Sequence, residues 1–342
     1  MTRRVVVVGA GLASAAHLTA LRAVGAEVVG VVTRDETRAA AAHRLAPEAR
    51  ILPNLDAAAA LDADTAVVVT PPSSHLAVAS VLAERGLDLV IDKPLAASVQ
   101  DARAIVDAAE RSGVQVAVTL QHRYKEAARH ARHLLADGAI GTLRSATVTV
   151  PLWRPDSYYA EAGRGTWDRD GGGVLITQAI HTLDLYLSLT GPAHSVVASA
   201  STSRGRLEAE DTIHLLIDQG SHTASVTAST AAWPGGAETI HLYGDAGQLR
   251  LVGDSLVRIA EGVQPLVDGS VDASGPDPLS MTAWFRSLYE DVFTSWAEGV
   301  APLSDARSGL RVQSVIDAAY RSAAAGTIPA IVSEERESAC QS

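Results

Sequence analysis

Residues 4–14 read Arg4-Val5-Val6-Val7-Val8-Gly9-Ala10-Gly11-Leu12-Ala13-Ser14, and an Ala-rich stretch follows to about Val24. A continuous apolar run of this length suits a strand buried on both faces of a parallel sheet. The glycines directly after it let phosphate oxygens approach the backbone, and the helix that follows offers free N–H groups at its N-terminus. Ser14 stands where a third glycine is usual and is small enough to keep the helix close to the strand. A second apolar run, Val28–Val32, returns at the spacing of a β-α-β unit. Gly9, Gly11, Leu12 and Ala13 are therefore expected to hold a nucleotide.

The alternation continues. Strands are expected at Ala66–Thr70, Asp88–Asp92 and Val114–Leu120, with helices near 74–85 and 98–112. A doubly wound sheet of this kind binds its ligand at the carboxyl ends of the strands. Thr70-Pro71-Pro72 and Asp92-Lys93-Pro94 fall at such ends and are expected beside Gly9 and Gly11. Lys93 is notable on composition alone. Lys and Arg together number 28, and only Lys93 and Lys125 are lysines. Arg stays charged at every accessible pH, whereas a partly buried Lys can release a proton. A lysine retained in such a background marks a candidate proton carrier.

The end of the second strand selects between the two nicotinamide cofactors. Here Thr33-Arg34 is followed by Asp35, with Arg38 a helical turn on. Hydroxyl plus guanidinium suits a ribose 2′-phosphate, so NADP is preferred; Asp35 turned inward would favour NAD.

From about residue 121 the pattern changes to a helix near 126–137 and short alternating runs between 143 and 260. These read as a large open antiparallel sheet with one face on helices and the other suited to a subunit interface. Helices near 281–298 and 304–325 close the chain, and 333–342 reads as a polar tail. Three segments result: 1–120, 121–330 and a flexible 331–342.

Pro151–Gly173 has no periodicity, yet it carries Trp153, Tyr158, Tyr159 and Trp167 with Arg154, Arg164 and Arg169. Aromatic faces stack on sugar or cyclic carbon skeletons, and Arg recognises carboxylate or phosphate. The same aromatics also suit capping of the sheet. Next comes Gly171-Gly172-Gly173, opening a helix on which Thr177, His181 and Asp184 form one polar stripe on an apolar element. His181 is a candidate proton donor or acceptor, with Asp184 as an orienting or structural carboxylate.

A net charge of −11 argues against nucleic acid or an anionic membrane as partner. The single cysteine, Cys340, rules out a disulfide framework and a Cys-based metal site. The Val5–Val8 run is too short to span a membrane and lacks a cleavage pattern, so a cytoplasmic enzyme without metal is expected.

Taken together, Gly9-Ala10-Gly11 with His17, Thr70-Pro71-Pro72 with His75, Asp92-Lys93-Pro94, and Gly171–Gly173 with His181 and Asp184 resemble the Gfo/Idh/MocA family (glucose–fructose oxidoreductase, inositol dehydrogenase and rhizopine catabolism). That resemblance covers nearly the whole chain. It implies an α/β N-terminal Rossmann domain binding NAD(P), and an α+β C-terminal domain with a large open, mixed sheet forming homodimers or homotetramers. It implies hydride transfer at a hydroxyl of a sugar, cyclitol or related cyclic diol. Lys93 would contact the reacting hydroxyl and the nicotinamide ribose, and His181 would exchange the hydroxyl proton. His75, Asp92, Pro94 and Gln121 would adjoin the cofactor. His122, Arg123 and Gln178 would line the substrate pocket with the loop residues Trp153, Arg154, Tyr158, Tyr159 and Trp167.

Two departures stand out. The family usually has Glu where this chain has Asp92. Many relatives carry Asp four residues before the histidine, where this chain has Thr177, which puts a greater share of the proton chemistry on Lys93. An anionic substrate is expected from the loop arginines. Two alternatives remain: a redox-neutral lyase or glycosidase reaction using tightly bound NAD, and a non-catalytic cofactor-sensing module.

Overall fold

The computed structural model describes residues 2–11, 13–204, 207–269 and 278–332, without side chains at 278–280. Leu12, Cys340 and the expected tail at 333–342 lie outside the described residues. The chain divides into two compact units, Met1–Tyr124 with Asp277–Gly309, and Lys125–Pro276 with Leu310–Ser342.

The first unit runs β1 (Arg4–Val8), α1 (Ser14–Ala23), β2 (Glu27–Val32), α2 (Glu36–Leu45), β3 (Arg50–Leu52), α3 (Leu55–Ala59), β4 (Thr65–Val68), α4 (His75–Glu84), β5 (Asp88–Ile91), α5 (Val99–Ser112) and β6 (Val116–Val118). All six strands are parallel in the order β3-β2-β1-β4-β5-β6. Val5, Val6 and Val7 have no exposed surface, as strands covered on both faces require. Order reverses between β1 and β4, and the loops after these strands border the crevice where ligands of such sheets bind. Asp35, Asn54 and Ser98 cap α2, α3 and α5 by accepting backbone N–H bonds, each worth about 1 kcal/mol. The sequence reading left residues 36–59 unassigned. Strand β3 has only three residues, two of them exposed, and α2 buries only Ala42, so neither writes a clear apolar pattern.

The second unit contributes α6 (Glu126–Ala136), β7 (Leu143–Pro151), α7 (Trp167–Asp170), α8 (Ile180–Thr190), β8 (Ser195–Ser201), β9 (Thr212–Asp218), β10 (Thr223–Ser229), β11 (Thr239–Gly244), β12 (Gln248–Val252), β13 (Ser255–Ile259) and β14 (Val263–Val267). After it come α9 (Pro278–Glu298), α10 (Ala306–Ala324) and β15 (Ala330–Ile331). The nine-stranded sheet has the order β14-β13-β12-β11-β7-β10-β9-β8-β15. It is mixed: β7 and β10 pair in parallel while the other pairs are antiparallel. Ile213, Leu215 and Ile217 of β9 point into a core shared with Ile180 and Leu183 of α8 and Val315 of α10. His214 and Leu216 point the other way, and Leu216 is 60 % exposed.

Two boundaries differ from the sequence reading. A division at residue 120 leaves out α9, whose Phe285, Leu288, Tyr289 and Val292 share a core with Leu18 and Leu21 of α1. An apolar helix stripe announces burial but not which core it completes. Ile331, assigned to the tail, pairs with Ser195 in β15. No described helix is long and apolar enough to cross a membrane.

Candidate active site

Gly9 ends β1 with φ +104°, and its N–H donates to the Val32 carbonyl. A Cβ there would stand 2.7 Å from the Val69 carbonyl oxygen, so the β1 and β4 loops meet only because the side chain is absent. Gly11 is different. A Cβ on it would meet nothing within 4 Å, and no side chain caps α1, whose N-cap is Ala13. The chain's own packing does not demand glycine at 11, whereas a pyrophosphate lying against the backbone does. The site therefore fits a dinucleotide. We expect Gly9→Ala to lower the thermal midpoint. Gly11→Ala should leave that midpoint nearly unchanged and raise the cofactor Kd about tenfold, roughly 1.4 kcal/mol. Parallel melting and fluorescence titration read the two effects, and a tight-binding Gly11→Ala protein would remove this role.

At the end of β2, Asp35 is turned back on its own helix. Its Oδ1 accepts the Arg38 N–H at 3.0 Å, its Oδ2 lies 3.6 Å from Arg38 Nε, and its own N–H donates to Thr33 Oγ1. Arg34 and Arg38 are exposed.

The ends of β4 and β5 are joined by His75. Its Nε2 lies 2.8 Å from the Thr70 carbonyl, and Nδ1 lies 3.1 and 3.2 Å from the carbonyls of Pro94 and Leu95. With no exposed surface, the ring holds two loops together and has no face left to meet a cofactor. Pro71 and Pro72 open a short 3₁₀ turn in which Ser74 Oγ donates to Thr70 Oγ1 at 2.8 Å.

Lys93 precedes a cis peptide bond to Pro94. Its backbone N–H donates to Thr119 Oγ1 at 3.2 Å, and the Thr119 hydroxyl donates to Asp92 Oδ1 at 2.5 Å. His17 Nε2 lies 3.7 Å from the same carboxylate oxygen. Burial would push the Asp92 carboxyl up, but His17, the Lys93 charge and the Thr119 hydroxyl together hold it well below the usual carboxylate range. Lys93 thus adjoins a carboxylate that stays ionised.

Gln121, His122, Arg123 and Tyr124 form a buried 3₁₀ turn. Arg123 donates to the Leu303 carbonyl at 2.6 Å and to Ser308 Oγ at 3.0 Å, fastening the segment after α9 to the first unit. At 4 % exposure it serves as a structural staple. His122 packs edge-on against Trp284. The second lysine, Lys125, is buried and lies 3.2 Å from Asp254 Oδ1.

In the second unit, Gly172 and Gly173 are required by their neighbours. A Cβ on Gly172 would collide with the Tyr320 hydroxyl, and one on Gly173 with the Glu210 carbonyl. Glu210 clasps this turn: its carboxylate oxygens accept the N–H groups of Gly173 and Leu175 and the Tyr320 hydroxyl, at 2.9 to 3.0 Å. Burial pushes the Glu210 carboxyl up, and these bonds only partly offset it. The expected helix begins with a π turn over Leu175–Ala179 before α8, a distortion common at functional sites. Thr177 lies in the π turn, where its hydroxyl donates to the Gly173 carbonyl at 2.6 Å. His181 is partly exposed and Asp184 is 1 % exposed.

The loop before it is ordered by its arginines. Arg164 and Arg169 both pair with Glu161, and Arg164 stacks 4.3 Å over Tyr158. Arg204, not singled out in the sequence, stacks over Trp153 and Tyr159 at 4.7 and 5.4 Å. Arg154 bonds neutral partners: the Trp153 carbonyl and Gln178 Oε1, whose amide in turn donates to Tyr158. Among the described residues, the loop arginine with no carboxylate partner is therefore Arg154. Trp167, 41 % exposed, lies edge-on to Tyr320.

Residues 3–120 match the oxidoreductase family with an NAD-binding Rossmann fold, and residues 128–250 match the GFO/IDH/MocA C-terminal domain. The chain belongs to the Gfo/Idh/MocA family. This Gfo/Idh/MocA protein is thus an NAD-binding oxidoreductase. It is 29 % identical to D-apiose dehydrogenase of Paraburkholderia graminis, over 96 % of this chain and 90 % of that protein. Its structure is similar to the WlbA dehydrogenase from Bordetella pertussis in complex with NADH and UDP-GlcNAcA, with a TM-score of 0.85 and 27 % identity over 97 % of this chain and 98 % of that one. Levoglucosan dehydrogenase, in complex with NADH and levoglucosan, shares the fold at a TM-score of 0.86 and 22 % identity, over 97 % of this chain and 100 % of that one.

Proposed function

We propose that this protein oxidises a hydroxyl-bearing carbon of a sugar, cyclitol or cyclic diol, or reduces the corresponding carbonyl, with Lys93 and His181 handling the proton. The observation that carries this reading is the placement of Lys93, one of two lysines in the chain, at the end of β5 beside an ionised Asp92. A bound nicotinamide cofactor supplies or accepts the hydride at that crevice. The ammonium of Lys93 stabilises negative charge on the reacting oxygen, and its neutral form accepts the hydroxyl proton. His181 is the second proton carrier, and Thr177 steadies the turn that leads into its helix. NADP is the preferred cofactor, because Asp35 caps its own helix while Arg34 and Arg38 stand exposed.

Arg154 supports an acidic substrate, since Arg164 and Arg169 already face the carboxylates of Glu161 and Asp170. The names of the relatives agree with a carbohydrate: one acts on an aldose, and another binds a nucleotide sugar acid. The test is absorbance at 340 nm with NADP or NAD and a panel of aldoses, inositols and sugar acids. Net reduction of cofactor is expected, with a higher kcat/KM for NADP and for acids. Turnover of a glycoside without any change at 340 nm would instead establish the redox-neutral reaction, and equal kcat/KM for neutral and acidic sugars would remove the role of Arg154.

A further inference from the structure

His17 is a completely buried residue of α1, hydrogen-bonded at one ring nitrogen and turned towards a carboxylate with the other. Its Nδ1 lies 2.6 Å from Tyr289 Oη, and its Nε2 lies 3.7 Å from Asp92 Oδ1. An ionised carboxylate can only accept, so the ring is assigned the tautomer with its N–H on Nε2, towards Asp92, which leaves Nδ1 to accept from the Tyr289 hydroxyl. Thr119 completes the arrangement, donating to Asp92 and accepting the Lys93 backbone N–H. Four elements of the first unit thus converge on the residue that precedes Lys93.

We propose that His17 is a positioning residue for Lys93: anchored by Tyr289, it draws on the inner side of the Asp92 carboxylate and limits how strongly that charge holds the Lys93 ammonium. The bland alternative is a core histidine satisfied by Tyr289 alone. That alternative explains Nδ1 but not an Nε2 turned towards a carboxylate that adjoins Lys93. The titratable groups around Asp92 are His17 from α1, Tyr289 from α9, His75 from α4 and Lys93 itself.

The signs are fixed by charge. Removing the His17 N–H leaves Asp92 more negative towards Lys93, so the ammonium persists to higher pH. Removing the Asp92 charge does the reverse. A charge within a few ångströms moves a neighbouring group by about 1–3 pH units, so Asp92→Asn should lower the Lys93 midpoint by about one unit, and His17→Asn should raise it by about half a unit. Asn keeps a polar atom near Nδ1 for Tyr289 and withdraws the one facing Asp92. His17→Gln puts an amide N–H near Nε2 and should restore the midpoint towards the original.

The midpoint can be read without a substrate. Trace acetylation with acetic anhydride across pH, followed by tryptic mass spectrometry, reports Lys93 on the peptide 86–103, apart from Lys125. Opposite shifts in His17→Asn and Asp92→Asn are expected. An unchanged or lowered midpoint in His17→Asn overturns the proposal. Should His17→Asn not fold, Tyr289→Phe keeps the ring and removes its anchor, and a rise of the midpoint is again required. The consequence for catalysis rests on the proton role of Lys93, which Lys93→Arg tests separately. Lost turnover in Lys93→Arg with no labelling shift in His17→Asn removes only the His17 proposal. Labelling shifts with normal turnover in Lys93→Arg remove only the catalytic reading.

Discussion

Lys93→Arg is expected to lower turnover by about 10³-fold while leaving the fluorescence titration with reduced cofactor within a few-fold of wild type. A positioned acid or base contributes about 10²–10⁴-fold, and arginine cannot play that part because it keeps its proton at every accessible pH. Charge and approximate reach survive the change, so electrostatic attraction to the cofactor and to Asp92 also survives. The backbone contact with Thr119 involves the N–H, which the substitution leaves in place. The split between binding and turnover is the informative result. Thr177 makes the expectation sharper: its hydroxyl donates to the Gly173 carbonyl, and it carries no charge to stabilise a protonated His181. In the proposed reaction, proton chemistry then falls more heavily on Lys93. Turnover within tenfold of wild type would falsify that division of labour.

What the sequence made legible follows from the range of each interaction. Buried strands write themselves as runs, and β1, β2, β4 and β5 were readable from valine, alanine and leucine alone. Glycines at a strand end signal close backbone approach, and both Gly9 and Gly173 prove to have backbone against them. Lys93 stood out as a candidate because lysine is rare in this chain, and His181 because of the glycine run and polar stripe around it. Partners distant in sequence were not. Nothing around Glu210 announces that its carboxylate clasps a turn 35 residues earlier, and nothing in α9 says that Tyr289 meets His17, 272 residues away. The fastening contacts of His75 and Arg123 were invisible for a related reason. Both stand beside the expected cofactor motifs in sequence, but only three-dimensional packing brings His75 to backbone carbonyls and Arg123 to a carbonyl and a serine. The π turn is likewise invisible to a helical stripe, which assumes uniform 3.6-residue periodicity.

Gly173→Ala should be the most damaging single methyl addition in the second unit. The new Cβ would overlap the Glu210 carbonyl oxygen and stand 2.6 Å from Glu210 Oε2. That carbonyl accepts the Val174 N–H at 2.9 Å, so it cannot retreat without breaking the bond that seats the helix start. Overpacking against side chains costs about 1–3 kcal/mol, and here the obstacle is backbone. Displacing the carboxylate also releases the N–H groups of Gly173 and Leu175 and the Tyr320 hydroxyl, and hydrogen bonds to charged groups are worth about 1.5–3 kcal/mol each. A loss of about 3 kcal/mol or more is expected, corresponding to a fall in Tm of order ten degrees. Turnover should fall further than stability implies. Thr177 and Gln178 lie in the π turn that the clasp leads into and His181 follows it in α8, and an ångström of misplacement is enough to cost about 10²-fold. Glu210→Gln separates the two causes. It adds no Cβ clash, but turns an amide group towards one of three donors, so an intermediate loss of stability is expected. Calorimetric melting of both variants checks the order. A Gly173→Ala protein melting at or above the Glu210→Gln midpoint would show that the clasp, and not the missing side chain at 173, sets the geometry of this turn.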